Sequence, residues 1–374
     1  MPCYGSMNRS LALAVVGFTF TGSAVAQAQE TLLGAGATFP APLYNQMFEQ
    51  YRSLTGIEVI YDAVGSGGGQ TALRRQEVQF GASDAPLSDV QARTFPGEVL
   101  HIPMALGAVV PIYNLPGFNQ TLNFSGEVLA DFFLGKITNW NDPRIAQLNP
   151  GIELPNLPVT IVHRIDGSGT TFVFVDYLSK VSQEWKIRAG VGSSVAWRQM
   201  VAVDWPVGLG GDGNGGVAEL VQAHPGALGY VEVAYAEQNH LPYGAVQNRA
   251  GKFVKADVES IGAAADFRSL PEDPRALFTD TDNPEGYPIA SLTWILVYTQ
   301  QELTAKSREQ AQQVVDLLWW MTHEGQELNE PLSYGRLPAI VVERNEKLLH
   351  TLRYQGRDLS PTVSRSTDPH QVAR

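Results

Sequence analysis

Apolar residues recur along this chain with two periods. Short runs that alternate or are apolar throughout lie at residues 32–34, 57–64, 78–82, 107–113, 159–163, 227–233 and 289–298. Their length and flanking glycines predict β-strands. Apolar positions three and four apart predict helices over 40–54, 70–76, 171–180 and 307–328. The last of these lines up Ala311, Val314, Val315, Leu318 and Met321 as one stripe, read as a face packed on the core. Alternating strands and helices predict an α/β fold. The runs at 107–113 and 289–298 are buried strands by composition, placed as the two that cross between lobes. Residues 266–286, rich in Pro, Asp and Asn, read as a surface loop, and those after about Ser360 as a disordered tail.

The first 28 residues follow a different logic. Arg9 is the only charged side chain before an apolar run from Leu11 to Phe20, and small residues follow to Ala28. That order is the pattern of a cleavable signal peptide, with processing expected after Ala26 or Ala28. Met7 is a second candidate start. The run is well short of the roughly 20 residues that a membrane-spanning helix needs. The single cysteine, Cys3, lies inside this segment, so the released chain has no thiol and an oxidising compartment is permitted. The expectation is a protein free in a periplasm.

Length and charge then narrow the function. A chain of 374 residues is long enough for two domains. Its net charge is −12; without the signal segment, 25 basic residues face 38 acidic ones, or −13. With no basic runs, nucleic acid is excluded as a partner. Anion binding is not excluded, because local backbone N–H groups can hold an anion on a globally acidic protein.

Three turns share one chemistry. Gly34-Ala35-Gly36-Ala37-Thr38-Phe39-Pro40, Gly65-Ser66-Gly67-Gly68-Gly69 and Asp166-Gly167-Ser168-Gly169-Thr170-Thr171 each lead from a strand to a helix. Thr38 is expected at the N-cap of the first helix, and Ser66 near the cap of the second. Each turn combines small residues, a hydroxyl and the unpaired N–H groups of a helix start, a combination suited to an oxyanion. Arg164, just before the third turn, offers a fork of donors; the lesser alternative is a surface arginine paired with Asp166. Asp84, just past the strand at 78–82, is either a turn aspartate or an acceptor for a proton-bearing oxygen. Phosphate carries such a proton near neutrality and sulfate does not, so a buried acceptor would discriminate between them.

At these residues the chain resembles the periplasmic phosphate-binding proteins of ABC-type phosphate importers, the PstS family. The resemblance lies in GAGATFPAPLY (34–44), VGSGGG (64–69), FGASDAPLSD (80–89), LGKITNWNDPRIAQLNPG (134–151), RIDGSGTTFVF (164–174), GLGGDGNGGVA (208–218), PGALGYVEVAYA (225–236) and LSYGRLP (332–338). It implies a type II-like periplasmic binding fold, two α/β lobes joined by two crossing strands. The boundaries expected are 1–28 for the signal peptide, 29–103 with 287–374 for one lobe, and 104–286 for the other. The resemblance also implies a monomeric receptor without catalysis, cofactor or metal, which binds inorganic phosphate and delivers it to a membrane permease. The implied ligand contacts are Thr38, Phe39 through its backbone, Ser66, Asp84, Arg164, Ser168, Gly169 and Thr170, with Asp166 orienting Arg164. Two positions depart from the family pattern: the second turn has one hydroxyl fewer, and Asp212 stands where a lysine is common.

Other readings are weaker. Neither Ser66 nor Ser168 sits in G-x-S-x-G, against a hydrolase elbow, though a weak phosphatase remains an alternative. Gly208–Gly213 spells G-x-G-x-x-G, but Asp204-Trp205-Pro206 spoils the strand a dinucleotide site needs. Asp280-Thr281-Asp282-Asn283-Pro284 lacks the ligand order of a calcium loop. A receptor of the same fold for another oxyanion, such as arsenate, is the nearest competitor.

Overall fold

The computed structural model describes residues 1–2, 31–118, 120–188, 205–267 and 274–362. The expected signal segment from Cys3 onward, and the expected tail beyond 362, lie outside the described residues. Twelve strands matter here: β1 (Leu32–Gly36), β2 (Val59–Asp62), β3 (Phe80–Ser83), β4 (Val99–Tyr113), β5 (Asn123–Phe124), β6 (Thr160–Arg164), β7 (Leu209–Gly211), β8 (Ala227–Glu232), β9 (Ala245–Gln247), β10 (Phe253–Val254), β11 (Leu277–Thr279) and β12 (Ile289–Tyr298). The main sheet runs β2-β1-β3-β12-β4-β8-β6-β7, with β11 on β12, and a small sheet runs β10-β9-β5.

Pairing divides the main sheet into two lobes. β2, β1 and β3 are parallel to one another, as are β8, β6 and β7. Between these triplets lie β12 and β4, antiparallel to each other and long enough to belong to both sides. β4 pairs with β12 up to Ala108, then with β8 from Val109 to Tyr113. Both strands are apolar because both faces are covered. The β4–β12 register slips between Thr293 and Trp294, opposite Ala105 and Pro103. Pro103 has no N–H to give a ladder, and an irregularity is where a central strand tolerates it.

Two of the four expected helices need correction, as does the 266–286 loop, and helices such as Gly126–Phe133, Gly213–Ala223 and Ala339–Leu349 match no expectation. The helix expected at 70–76 begins five residues earlier, at Gly65–Arg74. Its glycines form the first turn and are not a loop; a Cβ on Gly69 would come within 2.4 Å of Gly36 Cα, so only glycine lets this helix lie so close to β1. The helix expected at 307–328 ends at Thr322, and a 3₁₀ segment, Glu324–Leu328, follows a break at His323. Its stripe of Ala311, Val314, Val315, Leu318 and Met321 is fully buried, as patterned. The 266–286 stretch contains β11, whose Phe278 and Thr279 are buried against β12. Pro, Asp and Asn flank that strand and mask it in the sequence. Aromatic packing gathers in one lobe around Tyr44, Phe48, Tyr61 and Phe80, and in the other around Phe133, Phe174, Trp205 and Tyr230 and around Tyr113, Phe124, Phe132 and Trp140.

Candidate functional site

The carboxyl ends of β1, β3, β6 and β7 converge where the lobes meet, the end of an open α/β sheet at which ligands collect. From β1 the chain runs through Thr38 and Phe39 into the helix Ala41–Thr55. Pro40 is the N-cap of that helix and no side chain caps it. Thr38 is therefore not a cap, contrary to expectation. Its Oγ accepts instead from the backbone N–H of Asn214 at 3.2 Å and from Asn214 Nδ2 at 2.8 Å, across the cleft. The Thr38 carbonyl accepts from Tyr235 Oη at 2.7 Å. The Phe39 ring is fully buried, so only its backbone can face the cleft, and its carbonyl accepts from Tyr334 Oη at 2.6 Å.

β3 delivers Asp84, which is 1% exposed. Thr293, beside the register slip, donates to Oδ1 at 2.8 Å, and Ser66 approaches Oδ2 at 3.4 Å. The Asp84 backbone N–H donates to Ser66 Oγ at 3.1 Å. Burial pushes the carboxyl up to about 7; Thr293, Arg164 and Ser66 pull it down only in part, and the nearby Asp166 charge adds to the rise.

β6 ends in Arg164, 2% exposed and so not a surface arginine. It does pair with Asp166: Nε donates to Oδ1 at 2.5 Å and Nη2 to Oδ2. Nη1 donates to Thr170 Oγ1 at 3.2 Å. A guanidinium has five N–H groups; among the described residues these bonds use three and leave one on each terminal nitrogen. Ser168 caps the helix Gly169–Val181 by accepting from Thr171 N at 2.9 Å, which leaves its own proton to give. Gly169 lies against the opposite lobe, where a Cβ would fall 2.4 Å from Ser66 Oγ and 2.6 Å from Asp84 Oδ2. Gly67 N–H donates to Gly167 O at 2.7 Å beside it.

The structure thus brings the sequence-selected residues into one place. Hydrogen bonds connect Thr38, Thr170, Arg164 and Asp166 through Asn214, and contact connects Ser66, Asp84 and Gly169. Phe39 and Ser168 adjoin them along the chain. Sequence reading misses Asn214, Thr293, Tyr235, Glu232 and Tyr334. Asn214 had a signal: it follows β7 at the start of the helix Gly213–Ala223, a fourth glycine-rich strand-to-helix turn. Glu232, Tyr235 and Tyr334 lie in the family-like stretches 225–236 and 332–338, but nothing local marked them for the site, and Thr293 comes from a segment that carried no signal. Glu232 is fully buried, accepts from Ala234 N at 2.7 Å, lies 3.0 Å from Tyr334 Oη, whose one proton goes to the closer Phe39 carbonyl, and is raised by burial well above its ordinary value. Among the described residues no three His, Cys, Asp or Glu form a metal-ligand cluster, and no helix is long and apolar enough to cross a membrane.

Two α/β lobes hung on a pair of crossing strands, with helix starts facing across the gap, define a type II periplasmic binding fold. Comparison agrees. The PBP superfamily domain matches residues 21–321. The phosphate-binding protein PstS of Pasteurella multocida is 40% identical over 341 residues, 90% of this chain and 94% of that one. PstS of Xylella fastidiosa is 42% identical over 316 residues, covering 84% and 83%. The solved phosphate-binding protein of Stenotrophomonas maltophilia has the same fold at a TM-score of 0.63 and 18% identity, covering 84% of this chain and 92% of that chain. The chain belongs to the PstS family of periplasmic binding proteins, which are transport receptors and not catalysts.

Proposed function

We propose that this chain is the phosphate receptor of an ABC-type importer. It binds inorganic phosphate between its lobes and presents the closed form to a membrane permease from the periplasm, after loss of a signal peptide at residues 1–28. The lobes correspond to residues 29–103 with 287–374, and to 104–286, a division supported in outline by the change of partner within β4. The family names of the relatives support the ligand. The observation that carries the reading is the pairing of opposite chemistries in one buried cleft. Arg164 keeps two N–H groups for an anion while Asp84, poised at about 7, faces it from the other side. Such a site suits an anion that is itself a hydrogen-bond donor. The N–H groups of Phe39, Gly169 and Thr170 and the hydroxyls of Thr38, Ser66, Ser168 and Thr170 supply the remaining donors, and Asp166 holds the guanidinium in plane.

Calorimetric titration at pH 7 tests this. Phosphate should bind one to one, unaffected by excess sulfate. Asp84→Asn should admit sulfate, because its amide no longer confronts a bare oxygen with a negative charge. Wild-type protein that gives no phosphate heat, or that releases phosphate to sulfate, defeats the assignment.

A further inference from the structure

Asn214 is fully buried at the junction of the lobes. Its Oδ1 accepts the backbone N–H of Glu232 at 3.0 Å. A backbone N–H can only donate, so this bond fixes the amide's orientation and turns Nδ2 toward the two threonines. Nδ2 donates to Thr38 Oγ1 at 2.8 Å and to Thr170 Oγ1 at 3.0 Å, which uses both of its protons. Each hydroxyl also has a second donor: the Asn214 backbone N–H at 3.2 Å for Thr38, and Arg164 Nη1 at 3.2 Å for Thr170. A hydroxyl has two lone pairs and one proton. With both pairs taken, each threonine has only its proton left to offer.

We propose that Asn214 is a specificity-determining positioning residue that locks Thr38 and Thr170 as obligate hydrogen-bond donors into the cleft. Resting on the phosphate reading above, this adds a rule for how the anion sits. Its unprotonated oxygens face the two threonines, and Asp84 is left as the acceptor for a protonated one. The lock is assembled by closure, because Thr38 lies on one lobe and its two donors on the other. In an open form Thr38 regains free lone pairs and loses this preference.

The test is a mutant cycle read by phosphate calorimetry. Asn214→Ala should weaken phosphate binding by about 10- to 100-fold, the range for hydrogen bonds to charged groups. In a Thr38→Val/Thr170→Val background the same change should cost less than about twofold, since the groups through which Asn214 acts are gone. An equal loss in both backgrounds would show a merely structural residue and overturn the proposal. Should Asn214→Ala fail to fold, Asn214→Asp keeps the shape and the bond to Glu232 but draws both hydroxyl protons away from the cleft. It must bind phosphate at least tenfold more weakly than wild type, and wild-type affinity there would also overturn the idea. A ligand-free readout separates this claim from the choice of anion. The side-chain amide protons of Asn214, held within its own lobe by Thr170, should exchange slowly with solvent by NMR in the unliganded protein and shift in Thr170→Val. If wild type gives no phosphate heat but keeps these signals, the phosphate reading falls and the donor lock stands. Fast exchange removes the lock whatever the heat shows.

Discussion

Asp84 occupies a setting that withholds its charge, and the consequence for stability has a definite sign. In the unfolded chain an aspartate ionises near about 3.9, whereas burial raises the folded value to about 7. Between those values the unfolded state has lost its proton and the folded state keeps it. The unfolded state binds fewer protons, so stability falls as pH rises through this window. The loss is on the order of 4 kcal/mol, complete above about pH 7. Glu232, raised by burial in the same direction, adds to it. Asp84→Asn should therefore raise the unliganded thermal midpoint at pH 8 and leave it nearly unchanged at pH 4, as scanning calorimetry would read. Equal shifts at both pH values would mean that the carboxyl does not stay protonated in the folded protein. The same strain gives the ligand something to relieve, because a proton-bearing oxygen compensates the buried charge.

Elements were legible in the sequence where an unbroken apolar run marked burial on both faces, as in β12, whose bounds match the pattern residue for residue; β4 was read only over 107–113 of Val99–Tyr113, because His101 and Pro103 interrupt its first half. Legibility failed where glycine carried tertiary information. The run at 65–69 looks like a loop by propensity, yet it is the first turn of a helix, because close approach to β1 outweighs the poor propensity of glycine. The site residues on the three turns could be picked from local chemistry, but their meeting could not. Asn214 and Thr293 reach Thr38 and Asp84 from 176 and 209 residues away. Gly169 shows how strictly the element ends are fitted. It opens a helix, where alanine costs nothing in propensity, but the added methyl would collide with Ser66 and Asp84 on the facing lobe. Gly169→Ala should therefore leave the unliganded melting temperature nearly unchanged and weaken phosphate binding at least tenfold. A loss of melting temperature with intact affinity would place the constraint within one lobe and not between the two.

At the scale of the whole molecule, β4 and β12 are the continuous structure the lobes share among the described residues, so the contacts across the cleft set how readily it closes. Gly67 N–H to Gly167 O, Asn214 to Thr38 and Tyr235 Oη to the Thr38 carbonyl are such contacts. The Tyr235 bond is the most informative, because its hydroxyl is the only part of that side chain the contact needs. When the lobes part, water satisfies both partners, so deleting the hydroxyl acts on the closed form far more than on the open one. A net hydrogen bond contributes about 1 kcal/mol, roughly a fivefold change in the closing equilibrium. Apparent affinity scales with the binding-competent fraction, so Tyr235→Phe should weaken phosphate binding by about fivefold. Stopped-flow kinetics should place that change in faster release, with association little altered, since phosphate enters before the bond forms. Thermal unfolding of the unliganded protein should barely move. Slower association with unchanged release would mean that Tyr235 shapes the open form, and that closure draws its stability from the contacts at Gly67 and Asn214 instead.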